Sequence, residues 1–441
     1  MDRGSLKKKN IPVTENSLYS LLVSFSVWSV LLPWQLLSLI TGKSSWDEIS
    51  QRLARIGTSP SSQSETVVIH AVSYGEMLAA SPIISKLVAE NVNIEIILTT
   101  GNQDGMKAAR SLQSSHLNIV RVLFLPWDRA HAIKHWLTTL APDLFVIVET
   151  EIWPNLIATC RDQDIPVCIV NGRIYPKDVA RYGLISKFMR NVFSNIDWIG
   201  VQDKFEYERF LAIGAPAEIL QIVGNLKYDQ IVRGDVDSKP IPVKNIVDGR
   251  VLLAGSTHAP EEEIIFEAYK TLKLEFPDLQ LVLAPRKVSR VDKIEKWLKR
   301  HKFRVERSST LQSSNSSWDV LIVDELGQLT RLYELADIVF VGGSLVNHGG
   351  HNLLEAAVKG KAIVVGPYMQ HFQGIVDEFH RKDALVQLHE KSDLENTLRR
   401  LLMVPEERLN LGKEARSIVQ DNKGCSQGYT QMLRQLITRY K

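Results

Sequence analysis

The chain has 441 residues, an apolar share of 44% and a formal net charge of +3. That length is enough for two ordinary domains, and the apolar share excludes a largely disordered chain. The net charge is the small difference between 53 basic and 50 acidic side chains, so the composition excludes a protein that binds nucleic acid over its whole surface, and we expect no nucleic-acid partner.

The three cysteines, Cys160, Cys168 and Cys425, show neither the paired spacing of metal ligands nor the framework of a small disulfide-rich protein. A reducing compartment fits this usage. We therefore expect neither a bound metal nor another cofactor.

The N-terminal region contains an uncharged segment, residues 17–42, that is rich in leucine, valine and tryptophan. Its length and composition predict a helix that spans a membrane or lies in its surface, and we assign residues 1–45 to a membrane-associated segment. Lysines at 7–9 precede it, so a spanning helix would carry the rest of the chain out of the cytoplasm. Three arrangements would avoid this export of the chain: an interfacial helix kinked at Pro33, a re-entrant hairpin, or an uncleaved anchor whose charge bias is too weak to decide the orientation. We favour membrane contact without translocation.

Beyond this segment, short apolar runs alternate with stretches long enough for a helix, which predicts parallel sheets with helices on both faces. The runs cover 66–70, 94–99, 121–124, 144–148, 167–170 and 198–201, and then 251–254, 279–284, 320–323, 338–341 and 362–365. A polar stretch at 233–250 separates the two series. We predict two doubly wound α/β domains, 46–235 and 236–441, with ligands at the carboxyl ends of their strands.

Acidic side chains follow two predicted strands of the first domain. Glu76 comes after the strand that ends at His70, in the first turn of a predicted helix, while Glu149 and Glu151 follow a later buried strand. A transfer that inverts an anomeric centre needs one base, and a carboxylate such as Glu76 can serve. The alternative for each is a structural role at a helix N-terminus. Lys227 lies in a turn-like segment, where a cation can offset the charge of a carboxylate or phosphate.

The glycine-rich run at 342–357 is the strongest signal in the second domain. Its glycines let the backbone approach a ligand closely, and a helix predicted to begin near His351 would direct its amides at an anion. Asn352 and Glu355 are spaced to face that ligand from one side of the helix, with the carboxylate accepting ribose hydroxyls. The alternative is a glycine-rich turn before a core helix.

Two further strand ends of this domain carry suitable groups. Ser256 and His258 belong to a small turn before a predicted helix, whose free amides can meet an anion, and Arg286 follows the next strand. The chain has no Gly-x-x-x-x-Gly-Lys-Ser/Thr motif and no Gly-x-Gly-x-x-Gly motif after its first strand, so ATPase and dinucleotide-binding interpretations lose their main support.

Taken in order, these segments resemble the 3-deoxy-octulosonate (Kdo) transferases of lipopolysaccharide synthesis. The resemblance runs from about His70 to the C-terminal helix, and the N-terminal hydrophobic segment also has a counterpart in that family. The most specific pieces are HAVSYGE (70–76), ETEIWPN (149–155), GNLKYD (224–229), STH (256–258), PR (285–286) and GGSLVNHGGHNLLEAA (342–357).

The resemblance implies a GT-B fold, in which two Rossmann-like domains face each other across a cleft, with an N-terminal hydrophobic helix. The first domain would bind the acceptor and the second the CMP-sugar. The implied reaction transfers Kdo from CMP-Kdo to the lipid A precursor, lipid IVA, with inversion, at the cytoplasmic face of the inner membrane. The expected partners are this donor, this acceptor and the membrane surface.

Residue roles follow from the same resemblance. Glu76 would be the base, and Glu149 and Lys227 would support the transition state. The CMP pocket would comprise Pro285, Arg286, Leu326, Gly327, Gln328, Asn352, Leu353, Leu354 and Glu355, and further substrate contacts would come from Ser73, Gly75, Ser256 and His258. Two departures stand out: relatives often carry glutamate where this chain has Gln328, and residues 46–54 diverge from the family's arginine-rich stretch.

Two other functions are compatible with the same pattern. A GT-B transferase or epimerase could use a UDP-sugar, because many donors share this fold. A non-catalytic two-domain sugar-binding protein would need no carboxylate base.

Overall fold

The computed structural model describes residues 16–42, 44–57, 64–90, 93–230, 249–310, 318–325 and 327–439. The chain divides into two units, the first formed by Met1–Gln230 with Gly424–Lys441 and the second by Ile231–Lys423. Within the described ranges, each unit contains a sheet of 7 strands, and every pair of neighbouring strands is parallel.

The first unit alternates strands and helices along the chain. Its strands are β1 (Glu65–His70), β2 (Ile94–Thr100), β3 (Ile119–Phe124), β4 (Leu144–Val148), β5 (Val167–Gly172), β6 (Trp198–Val201) and β7 (Leu220–Ile222). Its first helices are α1 (Asn16–Ser26), α2 (Leu32–Ile40), α3 (Trp46–Arg52), α4 (Tyr74–Glu90), α5 (Gln103–Ser115) and α6 (Ala130–Leu140). They are followed by α7 (Pro154–Asp162), α8 (Pro176–Leu184), α9 (Ser186–Phe193), α10 (Lys204–Ala212), a 3-10 turn (Ala217–Ile219) and α11 (Lys227–Gln230).

The strand order of this sheet is β3-β2-β1-β4-β5-β6-β7. The order reverses between β1 and β4, and loops that leave a parallel sheet at such a point diverge and make room for a ligand. His70 at the end of β1 is paired with Ile147 of β4. The segments that carry Glu76 and Glu149 therefore leave the sheet side by side.

The second unit repeats the plan. Its strands are β8 (Val251–Thr257), β9 (Gln280–Pro285), β10 (Val305–Arg307), β11 (Val320–Ile322), β12 (Ile338–Val341), β13 (Ala362–Val365) and β14 (Val386–Gln387). Its helices are α12 (Glu261–Glu275), α13 (Val291–Arg300), α14 (Leu329–Leu332), α15 (Leu354–Val358), α16 (Gln373–Arg381), α17 (Asp393–Met403) and α18 (Pro405–Asp421), with 3-10 turns at Val288–Arg290, Tyr333–Leu335 and Gln370–Phe372. The order β10-β11-β9-β8-β12-β13-β14 reverses between β8 and β12, where Gly255 is paired with Val341.

The central strands are apolar on both faces because helices cover both sides of each sheet. In the first unit, Val68 and Phe145 belong to the core on one face, and Val67 and Val146 to the core on the other. All residues of β4 are buried. This burial explains why the strands appear in the sequence as continuous apolar runs.

The C-terminal helix, α19 (Cys425–Arg439), packs on the first unit. Tyr429 lies in the core that covers β1, and its O–H donates to the carbonyl of Gly224 at 2.9 Å. The Asp229 carboxylate accepts hydrogen bonds from the N–H groups of Gly424 (2.6 Å) and Ser426 (2.7 Å), which fixes the start of the helix. The sequence-based division placed 236–441 in the second domain, and the structure differs there.

The spacing of apolar residues in the C-terminal helix predicts a buried face, but it does not predict which of the two domain cores that face packs against. The other predicted boundary, between 235 and 236, and most of the polar stretch at 233–250 lie outside the described residues. The predicted apolar runs coincide closely with strands, whereas β7, β10 and β14 were not predicted. These three strands are short and lie at sheet edges, so their sequences lack a long apolar run.

The N-terminal segment is helical from α1 through a π-helical turn (Val27–Leu31) into α2. Residues Leu18–Ile40 form a helix of 23 residues with a mean hydropathy of 1.6, long and apolar enough to cross a membrane, and 17% of its most apolar window is buried. Apolar side chains such as Phe25 and Trp34 are exposed, whereas Gln35 and Ser38 are buried. The lysines at 7–9 lie outside the described residues.

Candidate functional site

Glu76 lies at the start of α4, beyond the carboxyl end of β1. Its backbone N–H donates to Ser73 Oγ at 3.3 Å, while its carboxylate accepts the Ser73 hydroxyl and the Val72 N–H, each at 2.8 Å. This reciprocal Ser-x-x-Glu arrangement is a capping box in which the carboxylate also accepts the Val72 N–H. Glu76 therefore has the structural role that was the alternative in the sequence, and its carboxylate also stands at the ligand edge of the sheet.

The environment of Glu76 favours the protonated form. Burial and then the negative charge of Glu149 raise the pKa of Glu76, and the hydrogen bonds from Ser73 and Val72 oppose the rise without cancelling it. A carboxylate with a raised pKa is a stronger proton acceptor than an exposed one. The chemistry open to Glu76 is thus general base catalysis.

Glu149 follows β4 in a strained backbone conformation. Its φ is +62°, in the left-handed region that a non-glycine residue adopts at a cost of about 1 kcal/mol or more. Its N–H still donates to the Val170 carbonyl at 2.9 Å, so the turn begins directly at the edge of the sheet. Its side chain is buried. Strain of this kind persists where the surrounding structure holds a side chain in one place.

Glu151 joins these carboxylates. Burial, followed by the negative charges of Glu76 and Glu149, raises the pKa of Glu151 from 4.5 to about 7. Acids placed close together resist simultaneous ionisation. The group of Glu76, Glu149 and Glu151 is named the carboxylate cluster below.

Lys227 opens α11 and its backbone N–H donates to Asn225 Oδ1 at 3.0 Å. Burial lowers the pKa of Lys227, the carboxylate of Glu149 opposes this effect, and the positive charge of Arg173 adds to it. The structure therefore brings Lys227 into the electrostatic neighbourhood of Glu149 and Glu76.

Sequence reasoning missed Arg173 and Tyr175, which follow β5. Arg173 is buried, with 8% of its surface exposed, and its guanidinium carbon lies 4.5 Å from the centroid of the Tyr175 ring. The side-chain oxygen of Asn171 accepts the N–H of Leu226 at 3.0 Å, which ties the segment before Lys227 to the end of β5. The arginine after the buried Asn-Gly pair was the signal available in the sequence.

The remaining expected residues of this unit lie at the same loop. Ser73 is half-buried and Gly75 is exposed. A side chain at Gly75 would meet no atom within 4 Å, so the fold itself does not require glycine there. In the first unit, the structure thus places Ser73, Gly75, Glu76, Glu149 and Lys227 at one edge of the sheet.

In the second unit, a buried carboxylate fixes the glycine-rich loop. Glu261, which has no exposed surface, accepts hydrogen bonds from the backbone N–H groups of Gly343 (2.7 Å), Ser344 (3.0 Å), Leu345 (2.9 Å) and His258 (2.8 Å). Sequence reasoning assigned Glu261 no role at the site. In the structure it joins the loops that follow β8 and β12.

The glycines of this loop are required by its shape. Gly343, Gly349 and Gly350 have φ of +68°, +83° and +76°. A Cβ atom on Gly350 would lie 2.2 Å from Met369 Sδ, and one on Gly342 would lie 2.5 Å from the Ser256 carbonyl oxygen. The loop therefore depends on glycine both for its backbone angles and for its close packing.

Helix α15 begins at Leu354, so the expectation of a helix beginning near His351 was wrong. Asn352 lies before the helix, and its side-chain oxygen accepts the Leu354 N–H at 3.1 Å. Glu355 is in the first turn and accepts the Thr330 hydroxyl at 3.0 Å. The loop with positive φ at Gly349 and Gly350 continues to Asn352, which lies before the N-cap residue Leu353 and does not share a helical face with Glu355.

Leu353 and Leu354 are fully buried. Their side chains belong to the interior, so only their backbone groups can meet a ligand. Pro285 ends β9, and the N–H of Arg286 donates to the Thr257 carbonyl at 3.0 Å, which leaves the exposed Arg286 side chain at the carboxyl edge of the sheet.

Histidines line the same edge. The Nε2 atoms of His258 and His351 are 2.8 Å apart, and the ring centroids of His258 and His348 are 4.3 Å apart. One Nε2 of the close pair must accept while the other donates, so the two rings cannot both carry a proton there. Burial, then the charges of His258 and Arg286, lowers the pKa of His351 to about 4. His351 is therefore neutral at pH 7. Ser256, with φ of +56°, lies in the turn before His258.

Gln328 precedes α14 and is buried, with 5% of its surface exposed. Within the described part of the chain, its Oε1 atom has no hydrogen-bond partner. Gly327 before it has φ of +83°, and Leu326 lies outside the described residues. Among the residues that the structure describes, no group of three or more His, Cys, Asp or Glu side chains could hold a metal ion.

The comparisons with known proteins cover most of the chain. The family model for 3-Deoxy-D-manno-octulosonic-acid transferase (kdotransferase) matches residues 47–230. The 3-deoxy-D-manno-octulosonic acid transferase of Haemophilus influenzae is 30% identical over 394 residues, which cover 89% of this chain and 92% of the relative. The chain belongs to the Kdo transferase family. The enzyme of the same name from Aquifex aeolicus is 29% identical over 370 residues, covering 84% of this chain and 93% of the relative. The chain is therefore a glycosyltransferase, and the resemblance found in the sequence is confirmed.

A solved structure supports the fold of this Kdo transferase. The UDP-GlcNAc 2-epimerase of Neisseria meningitidis matches with a TM-score of 0.57 and 14% identity, covering 85% of this chain and 100% of the epimerase. At that identity the likeness concerns the fold alone. The GT-B fold class with its N-terminal apolar helix is confirmed.

Proposed function

We propose that this Kdo transferase moves Kdo from CMP-Kdo to the lipid A precursor, lipid IVA, at the cytoplasmic face of the inner membrane. Three observations support the proposal: the family relationship, the carboxylate cluster of the first unit, and the exposed apolar helix at the N-terminus. The observation that carries the mechanism is Glu76, a carboxylate with a raised pKa at the carboxyl end of β1.

In the proposed reaction, a hydroxyl of lipid IVA attacks the anomeric carbon of Kdo. A new C–O bond forms as the C–O bond to the phosphate of CMP breaks, and the hydroxyl proton passes to Glu76. Each carboxylate oxygen of Glu76 has lone pairs beyond those that accept from Ser73 and Val72, so the capping role does not prevent proton transfer. Attack opposite to the departing CMP inverts the anomeric centre.

Lys227 and Glu149 are proposed to support the transition state. Burial lowers the pKa of Lys227, and the negative charge of Glu149 opposes this effect and favours the positively charged form. A fixed cation beside developing negative charge lowers the barrier more in a partly buried site than it would in water. Ser73 and Gly75, in the same loop as Glu76, are assigned to substrate contacts.

The second unit is proposed to bind CMP-Kdo. Arg286 and the glycine-rich loop would meet the anionic groups, together with Ser256 and His258. Gln328 offers a buried oxygen that can accept an N–H of cytosine, and Glu355 can accept ribose hydroxyls. Pro285, Gly327, Asn352 and the backbones of Leu353 and Leu354 complete the proposed CMP pocket, with Leu326 assigned from the family resemblance.

The N-terminal helix is proposed to lie in the membrane surface. Its buried side carries the polar residues Gln35 and Ser38, whereas its exposed side carries Phe25, Trp28 and Trp34. A helix divided in this way can face lipid while it remains attached to a domain on the cytoplasmic side. This arrangement avoids the translocation implied by the preceding lysines.

Product analysis tests the proposed donor and acceptor. The purified full-length enzyme is incubated with lipid IVA and CMP-Kdo, and with UDP-GlcNAc in a parallel reaction, and the lipid is examined by mass spectrometry. The expected result is a lipid heavier by one or more Kdo residues, with release of CMP, in the first reaction alone. A sugar adduct or an epimerised sugar from the UDP reaction would favour the UDP-sugar function instead.

A further inference from the structure

The buried side of the N-terminal helix makes specific polar contacts with the first unit. The Tyr19 hydroxyl donates to Asp128 Oδ2 at 2.9 Å, and the Ser20 hydroxyl donates to Asn155 Oδ1 at 2.5 Å. Asp128 and Asn155 are both buried, each with 3% of its surface exposed. A helix that served only to hold lipid would need no such pairs, since apolar contact is sufficient for anchoring.

Asp128 and Asn155 together hold the start of α7. Asp128 accepts the N–H of Asn155 at Oδ2 (3.0 Å) and the N–H of Leu156 at Oδ1 (2.8 Å), and Asn155 Nδ2 donates to the Asp128 carbonyl at 2.6 Å. The residue before the helix, Trp153, makes no side-chain cap. A carboxylate from a distant loop therefore caps this N-terminus, and the N-terminal helix contacts both members of the pair.

The start of α7 is connected directly to the carboxylate cluster. Residues 149–153 join β4 to α7, and this short loop carries Glu149 and Glu151. β4 fixes one end of the loop and α7 fixes the other. A shift of the helix start would therefore be transmitted to Glu151, whose pKa is sensitive to the charge of Glu76.

Aromatic contacts hold the N-terminal helix in the same position. The rings of Tyr19 and Phe188 are 5.8 Å apart between centroids, and the guanidinium carbon of Arg129 lies 5.0 Å from the Trp28 ring centroid. Arg129 is adjacent to Asp128 in the chain. The polar pairs and the aromatic contacts thus fix one docked position of the helix.

We propose that Tyr19 and Ser20 are positioning residues for catalysis: through Asp128 and Asn155 they hold the 149–153 loop in the conformation that presents its carboxylates. The lipid-facing helix is then part of the support of the catalytic loop as well as a membrane contact. This inference rests on the proposed role of the carboxylate cluster in Kdo transfer.

The test uses full-length enzyme with Tyr19→Phe, Ser20→Ala and the double substitution, each of which removes only a hydroxyl. Matched controls are Ser29→Ala, whose exposed hydroxyl bonds to its own helix, and Tyr207→Phe in α10. The kcat and the KM for CMP-Kdo and for detergent-solubilised lipid IVA are measured. Sedimentation with vesicles of phosphatidylethanolamine and phosphatidylglycerol reports membrane binding separately.

The double variant is expected to lose about tenfold in kcat, the size of effect that follows from losing hydrogen bonds to buried polar groups. Its KM values and vesicle binding should stay within about twofold of the parent enzyme, and both controls should match the parent. Loss confined to vesicle binding or to the KM for lipid would overturn the positioning role and leave the helix as an anchor. The positioning role would also be overturned if the double variant kept the kcat of the parent enzyme while Glu76→Gln was inactive. If Glu76→Gln itself kept full activity, Glu76 would no longer be the proposed base.

Discussion

The carboxylate of Glu261 accepts the backbone N–H of Gly343 at 2.7 Å, across the point where the strand order of the second sheet reverses. Because the same carboxylate also binds the N–H of His258, one buried side chain sets the relative position of two loops proposed to bind CMP-Kdo. The shape of the glycine-rich loop thus depends on an acidic side chain that need not touch the ligand.

Glu261→Gln should weaken both the fold and nucleotide binding. In the parent protein both carboxylate oxygens of Glu261 accept backbone N–H groups. In the variant one of these oxygens is replaced by an NH₂ group, which cannot accept, so at least one strong hydrogen bond is lost. We expect the free energy of unfolding to fall by about 2 kcal/mol, measured by urea denaturation. CMP affinity, measured by calorimetric titration, should fall with it. Glu263→Gln, at an exposed neighbouring position, is the control, and equal behaviour of the two variants would contradict the role of Glu261.

Gly350→Ala tests the backbone requirement of the same loop. With φ of +76° and Met369 Sδ 2.2 Å from the added Cβ, alanine forces a shift of the loop or of Met369. We expect loss of CMP binding and a lower thermal midpoint. Gly183→Ala in α8 is the control, because a side chain there meets no atom within 4 Å, and alanine should leave stability unchanged or raise it by up to about 1 kcal/mol. Normal CMP affinity in Gly350→Ala would show that the ligand does not depend on this loop.

Glu151→Gln should stabilise the protein at alkaline pH. Burial, reinforced by the charge of Glu76, raises the pKa of Glu151 from 4.5 to about 7. Above pH 7 the folded protein therefore contains an ionised, partly buried Glu151, which destabilises it. The stability of the parent enzyme should therefore fall between about pH 4.5 and pH 7, while the neutral amide avoids that loss. We expect a gain of about 1–2 kcal/mol at pH 8 and none at pH 4, from urea denaturation at both values. If Glu151→Gln changed the free energy of unfolding equally at pH 4 and pH 8, the raised pKa of Glu151 would not be the cause of that change.

Labelling distinguishes a helix in the membrane surface from a spanning one. Leu18 and Ile40 lie at opposite ends of the apolar segment and are exposed, while the native cysteines Cys160, Cys168 and Cys425 are buried. Single substitutions to cysteine at positions 18 and 40 can therefore be labelled in sealed vesicles with little background. In a helix that lies in the surface, permeabilising the vesicles should leave the reaction with an impermeant reagent unchanged at both positions, because both ends lie on the side of the enzyme. A position that reacts only after permeabilisation would indicate a spanning helix.

The sequence predicted the parallel architecture because both faces of each central strand are buried, which leaves continuous apolar runs such as 144–148. It did not predict edge strands such as Val305–Arg307, where one neighbour is missing and polar residues are tolerated. Nor could it assign α19, since the same apolar face would fit either core and only the contacts of Asp229 and Tyr429 decide.

The candidate residues were largely found from strand ends, because function in such folds collects there. Arg173 and Glu261 were missed as parts of the two sites, since their roles depend on three-dimensional contacts rather than on a local pattern. The start of α15 was misplaced because glycines with positive φ extend the loop to Asn352. The link from Tyr19 to Asp128 joins residues far apart in the chain, and no local pattern reports it.

The most direct test concerns Glu76 as the catalytic base. Initial rates of Kdo transfer from CMP-Kdo to lipid IVA are measured for the parent enzyme, Glu76→Gln and Glu218→Gln, an exposed glutamate of the same unit that serves as the control. The amide keeps the capping hydrogen bonds in part but cannot take up the proton, so Glu76→Gln should lose about 100-fold or more in kcat while it still binds CMP. Transfer by Glu76→Gln at a rate near that of the parent and of Glu218→Gln would contradict the proposed mechanism.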